Sequence, residues 1–111
     1  MLTVIEHHYF IRKAERILTE KQRIELIDFI SLHYDRGDVM AGTGGVRKIR
    51  FAHQTGKGKS GASRVVYLVV DELGHIHLLD IFEKNVKDNL SKAERNEIRK
   101  LVEILKKRKR T

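Results

Sequence analysis

The spacing of hydrophobic positions changes along this 111-residue chain, and the changes divide it into elements. Residues 2–5 (LTVI) form an apolar, β-branched run that predicts a short first strand. Over residues 9–18, Phe10, Ala14, Ile17 and Leu18 fall at helical spacing among charged residues, which predicts an amphipathic helix. Thr19-Glu20-Lys21-Gln22 then has the form of a capping box, in which Thr19 accepts a free backbone N–H of the next helix. That helix is predicted over 20–34, with Ile24, Ile27, Ile30 and Tyr34 along its core side. Leu26, Phe29 and His33 widen this face, and Gly37 is expected to close the helix in a left-handed conformation.

Four glycines between positions 37 and 45 lead into a region where the period becomes two. In residues 46–52, Ile49 and Phe51 point one way and Lys48 and Arg50 the other. This predicts a half-buried strand with two cations on its open face. Residues 54–62 (QTGKGKSGA) predict a flexible cationic loop. Residues 63–70, opened by Arg64, are so rich in β-branched side chains that they predict a central strand buried on both faces. DELG (71–74) reads as a tight hairpin turn and HIHLLDIF (75–82) as the return strand. Ser91-Lys92-Ala93-Glu94 is a second capping box, starting a helix to about residue 107 with Ile98, Leu101, Val102 and Leu105 as its apolar stripe. The order β-α-α-β-β-β-α predicts one α+β domain over 1–111, with a basic tail fraying from 106 to 111. We expect a small twisted, mainly antiparallel sheet, with helices packed on one face and cations on the other.

Charge adds a function class to this fold. A net charge of +8 and a pI near 9.9 favour nucleic acid over an anionic membrane or an acidic protein. The positive charge is also concentrated. Residues 39–70 contain no Asp or Glu, although Asp38 and Asp71 flank them, and they carry Arg47, Lys48, Arg50, Lys57, Lys59 and Arg64. Cations without local counter-charge keep their potential for a polyanion. The absence of cysteine excludes a disulfide framework and thiolate metal ligation. The first residues lack the basic start and apolar core of a signal peptide, and no apolar run reaches membrane-spanning length. A cytoplasmic location is expected.

Three segments carry a family likeness: GDVMAGTGGVRKIR (37–50), GKGKSGASRVVY (56–67) and LLDIFEKN (78–85). Together they resemble the RelE/HigB family of bacterial toxins from toxin–antitoxin operons. The likeness is to the HigB-type branch, with its GTGG-hydrophobe-RKIR segment, GKGK-rich loop and strand ending in Tyr-Gly-Lys-Asn. It covers most of residues 37–90, and the strand–helix–helix start fits it. The resemblance implies a RelE-like fold and an endoribonuclease that cleaves mRNA in the ribosomal A site and so inhibits translation. It implies the RNA 2′-hydroxyl as nucleophile, no metal and no cofactor, and a cognate antitoxin of the helix-turn-helix HigA type as partner. Carried over by position, Lys48, Arg50, Arg64 and Lys84 are the catalytic candidates. Arg47, Lys57, Lys59, Phe82 and Asn85 are candidates for contact with RNA or the ribosome, Phe82 by stacking on a base. Two residues depart from the pattern. Phe82 stands where relatives commonly have Tyr, and Glu83 stands where they usually have Gly, which brings a carboxylate near the candidate site.

Other readings of the same residues remain open at this level. Arg64 can be held in an ion pair by Asp80 or Glu83, and His53 can serve as a base in place of Lys48. The GKGKS run lacks the full GxxxxGK[ST] spacing, which excludes a phosphate-loop hydrolase. His75 and His77, or His7 and His8, are metal-ligand types without an obvious third partner. The related ParE-type toxins act on DNA gyrase without the full Arg/Lys set, and a plain nucleic-acid-binding module needs only the charge.

Overall fold

Val65, Val66, Tyr67 and Leu68 are buried without a break, which puts the strand that carries them in the middle of the sheet. The computed structural model describes residues 2–54, 60–83 and 89–107. In chain order these form β1 (Thr3–Glu6), α1 (His8–Ile17), α2 (Glu20–His33) and β2 (Asp38–Val39). They continue with β3 (Arg47–Gln54), β4 (Ser60–Val70), a 3₁₀ turn (Asp71–Leu73), β5 (His75–Glu83) and α3 (Lys92–Lys107). The strands form one sheet in the order β1-β5-β4-β3-β2, with β1 parallel to β5 and every other pair antiparallel. This is an α+β fold with a mixed five-stranded sheet, consistent with the RelE-like architecture that the sequence resembled.

The helices lie on both faces of the sheet, not on one. Phe10, Leu26 and Ile30 pack with Val65, Tyr67 and Leu78 on one side, under α1 and α2. On the other side Val46, Val66, Leu68 and Leu79 pack with Val102 and Leu105 of α3. The reason lies in β4, which is apolar at both parities, so each face of the sheet needs its own cover. Lys48, Arg50 and Arg64 therefore share a face with α3, at alternate positions continuing from Val46 on β3 and Val66 on β4.

Both capping boxes form. Thr19 Oγ1 accepts the Gln22 N–H at 3.1 Å while the Thr19 N–H donates to Gln22 Oε1, and Ser91 and Glu94 repeat the exchange. The core face of α2 differs from expectation. Ile24 is exposed, and the buried residues are Gln22, Leu26 and Ile30. Apolar residues are spread around this helix, so their spacing does not single out a face, and the docking of α1 and the sheet decides it. Gly37 is not a left-handed cap. The Tyr67 hydroxyl lies where its Cβ would stand, so glycine is required by close approach.

Positive φ values occur instead at Gly42, Gly44 and Gly45, in the turn between β2 and β3. Thr43 Oγ1 donates to the Met40 carbonyl and accepts the Val46 N–H, and Lys106 Nζ donates to the Gly44 carbonyl at 2.5 Å. The basic tail expected to fray from residue 106 thus starts inside α3, with Lys106 docked. Residues 108–111 lie outside the described residues. β3 and β4 also run further than predicted, pairing out to Gln54 opposite Ser60, so Arg64 sits within a strand and does not open it. The DELG turn is a single 3₁₀ turn closed by Gly74 at φ 66°. On β5, Val66 pairs with Asp80 but Tyr67 with Leu78, so Leu79 is the extra residue of a β-bulge.

Candidate functional site

The register of the sheet places the candidate cations. Arg50 on β3 pairs directly with Arg64 on β4, and Arg64 pairs with Phe82 on β5. One step along, Lys48 pairs with Val66, and Val66 with Asp80. Directly opposed side chains share a face, with Cβ atoms about 4.5–5.5 Å apart. Lys48, Arg50 and Arg64 therefore form one cluster. Arg50 is exposed, and the other two are partly buried. Among the described residues Lys48 and Arg50 enter no salt bridge or side-chain hydrogen bond, although Asp38 stands opposite Lys48 across β2 and β3. Lys84, Asn85, Lys57 and Lys59 lie outside the described residues.

The acids named as alternative partners for Arg64 are otherwise placed. Asp80 is buried and receives Lys13 Nζ at 2.6 Å and its neighbour Ile81 N–H at 2.8 Å. Glu83 pairs with Ser63, which by strand alternation puts it on the opposite face from Arg64. Its carboxylate is therefore not beside the cation cluster.

Arg47 is separated from the other cations. By alternation it points to the α2 face, where its guanidinium donates to the Gly37 carbonyl at 2.6 Å and reaches the Asp35 carbonyl at 3.5 Å. It secures the chain after α2, as a cation near a helix C-terminus does. Phe82 differs from expectation as well. It is 4% exposed, packed in the α3-side core with Leu90 and Val102, so it forms a floor beneath the cluster and presents no open ring to a base.

His53 also lies on the α2 face, so it is not a substitute for Lys48. Its ring packs over Gly61 and against Phe51, and its Nε2 is 3.0 Å from Ser63 Oγ. Burial holds the imidazole pKa below its ordinary value, with Glu83 opposing. A further pair was missed from the sequence altogether. His7 Nε2 lies 2.8 Å from His77 Nδ1, joining the start of α1 to β5. Among the described residues no group of three or more His, Cys, Asp or Glu has the arrangement of a metal site.

Fold and surface together define a small α+β protein with a cationic sheet face beside its C-terminal helix. The chain matches the family model of the RelE toxin of the RelE/RelB toxin–antitoxin system over residues 4–111. It belongs to the RelE toxin family, and that family pairs each toxin with an antitoxin. No helix among the described residues is long and apolar enough to cross a membrane.

Proposed function

We propose that this chain is a HigB-type, ribosome-dependent endoribonuclease that cleaves mRNA in the A site, inhibits translation in the cytoplasm and is neutralised by a helix-turn-helix antitoxin. The observation that carries the reading is the cross-strand pairing of Arg50 with Arg64, with Lys48 on the same face. Cleavage through the 2′-hydroxyl needs in-line geometry, removal of the 2′ proton, protonation of the leaving 5′ oxygen and cations on the phosphate. Arginine stays charged and clamps a phosphate in two places, which assigns Arg50 and Arg64 to the scissile phosphate. Lysine, unlike arginine, can give up and take a proton, which makes Lys48 and Lys84 the candidates for proton transfer. No phenol is available at Phe82. So sparse a catalyst depends on the ribosome to hold the message in line, where positioning supplies much of the barrier reduction.

The test is to add the purified chain to translating ribosomes and map the mRNA ends. Cuts at A-site codons that vanish in Arg64→Ala support the reading, and unchanged cutting removes Arg64 from the mechanism. Lys57→Ala and Lys59→Ala should weaken ribosome binding in a salt-dependent way with little effect on cleavage once bound. Intact mRNA with inhibited DNA gyrase would replace the nuclease reading with a ParE-type one.

A further inference from the structure

One side of α3 is cationic. Arg95, Arg99 and Lys106 follow at i, i+4 and i+11, with Val102 at i+7, so the four lie within about 60° of each other around the helix. Contacts at the end of the helix show where that side points. Lys106 Nζ donates to the Gly44 carbonyl, and a Cβ on Gly44 would meet Val102 Cγ1 at 3.1 Å, so the stripe faces the turn into β3. Ala93, Glu94 and Glu97 of the first turns line a groove with Leu79 and Asp80 of β5. Asp80 pairs with Val66 and Val66 with Lys48, which sets these turns level with the Lys48 row. Arg95 precedes Lys106 by about 16 Å of helix, and Arg50 follows Gly44 by about 20 Å of extended chain. The stripe therefore runs alongside Lys48, Arg50 and Arg64.

The arrangement is costly to the free protein. Among the described residues neither Arg95 nor Arg99 enters a salt bridge or a side-chain hydrogen bond, and Arg95 Nε is buried without a partner. A buried donor without an acceptor loses its hydration and gains nothing for it. Like charges at i and i+4 destabilise a helix, and Arg95 stands near the end where the helix dipole disfavours a cation. Arg50 opposite Arg64 repeats the like-charge relation on the sheet. An anionic strand lying between the two rows relieves both.

We propose that Arg95 and Arg99 bind the phosphates flanking the one assigned to Arg50 and Arg64, so that the message lies in a cleft between α3 and β3. The inference rests on the nuclease reading and adds to it the wall that holds the strand on either side of the cut. Both arginines bind and position the strand, and neither takes part in proton transfer.

The experiment uses the full chain and, as probe, a fluorescent hexanucleotide of 2′-O-methyl RNA, whose blocked 2′-oxygens prevent cleavage. Anisotropy titrations over a range of salt should show Arg95→Gln and Arg99→Gln each binding about tenfold more weakly at low salt. Each should also reduce the slope of log K against log salt by about 0.7, the share of one phosphate contact on a single strand. Arg95→Lys keeps the charge and should keep the slope. Arg12→Gln makes the same charge change at an exposed position on α1, across the sheet, and should alter neither quantity. Equal losses in Arg12→Gln would reduce the effect to net charge and overturn the proposal, as would a wild type that does not bind the probe. A lower melting temperature in Arg95→Gln would assign that residue to the fold and overturn its part, while Arg99, which is exposed, still tests the cleft. Binding that survives in both glutamine variants but is lost in Arg64→Ala overturns this inference and leaves the nuclease reading intact. Losses at Arg95 and Arg99 in a chain that cuts no mRNA on ribosomes leave the cleft standing and remove the nuclease reading.

Discussion

Arg50 and Arg64 stand directly opposite each other on β3 and β4, two guanidinium groups in register on one face of the sheet. Like charges in that relation destabilise a sheet, by the same order as favourable pairs stabilise it, about 0.2–1 kcal/mol. Arg50, the exposed member of the pair, enters no salt bridge or side-chain hydrogen bond among the described residues and is open to an anion. Arg50→Gln is therefore expected to raise the stability of the free protein by up to about 1 kcal/mol while impairing mRNA cleavage. Urea denaturation checks the first effect and end mapping on ribosomes the second. Inorganic phosphate should raise the melting temperature of the wild type more than that of the variant. A destabilised Arg50→Gln would mean that Arg50 serves the fold.

Tyr67 joins the sheet to the end of α2. Its hydroxyl donates to the Tyr34 carbonyl at 2.8 Å and accepts the Gly37 N–H at 3.0 Å, and burial raises the phenol pKa above its ordinary value. Tyr67→Phe keeps the ring but leaves both backbone groups without this partner. The expected cost is about 1–3 kcal/mol, read as a lower urea midpoint at unchanged slope. Gly37→Ala should cost as much or more, because the new methyl group meets the Tyr67 ring. A neutral Tyr67→Phe would show that water takes over both bonds.

Local signals in the sequence led to the right elements wherever one short stretch decided the outcome. The two capping boxes, the alternation of Ile49 and Phe51 against Lys48 and Arg50, and the doubly buried β4 all depend on neighbours within a few residues. What the sequence did not reveal is decided between distant segments. Arg47 looks like its neighbours Lys48 and Arg50, but alternation turns it toward α2, where the Gly37 carbonyl takes it. Phe82 is covered because Leu90 and α3 return over its face, and the chain linking β5 to α3 carries no pattern that announces this. Lys13 and Asp80 are 67 residues apart, and their pairing follows from the docking of α1 against β5. That Lys48 and Arg50 share one face of β3 was legible, whereas what surrounds them depended on topology.

His53 gives the fold a pH dependence whose sign follows from its burial. The imidazole is 8% exposed, and its pKa in the folded chain lies below the ordinary 6.5. Well above pH 6.5 both folded and unfolded chains carry it neutral, and it contributes no slope. As pH falls through 6.5 the unfolded chain takes up a proton that the folded chain resists, so stability declines. One such group contributes at most about 1.4 kcal/mol per pH unit. Urea midpoints measured between neutral and acid pH should fall less steeply in His53→Gln than in the wild type. Identical slopes would show that the folded protein protonates His53 freely.

The Lys13–Asp80 pair tests how the sheet tolerates a buried acid next to its cations. Asp80 has a side chain 3% exposed, while the partner ammonium on α1 is 23% exposed and lies 2.6 Å away. Removing one partner of such a pair strands a charge and costs about 3–5 kcal/mol when both are buried. Lys13→Met should fall toward the lower end, because water reaches the Lys13 side. Asp80→Asn combined with Lys13→Met should recover most of the loss, since an amide oxygen can still accept the Ile81 N–H that Asp80 accepts at 2.8 Å. The single variant has a second expected effect. An Asp80 carboxylate released from Lys13 stands one residue pair from Lys48 across Val66 and draws on the positive potential of the cluster. Lys13→Met should therefore weaken RNA binding at low salt, and the double variant should restore it. Binding unchanged in the single variant would show that Val66 and the covering helix insulate the acid from the cluster.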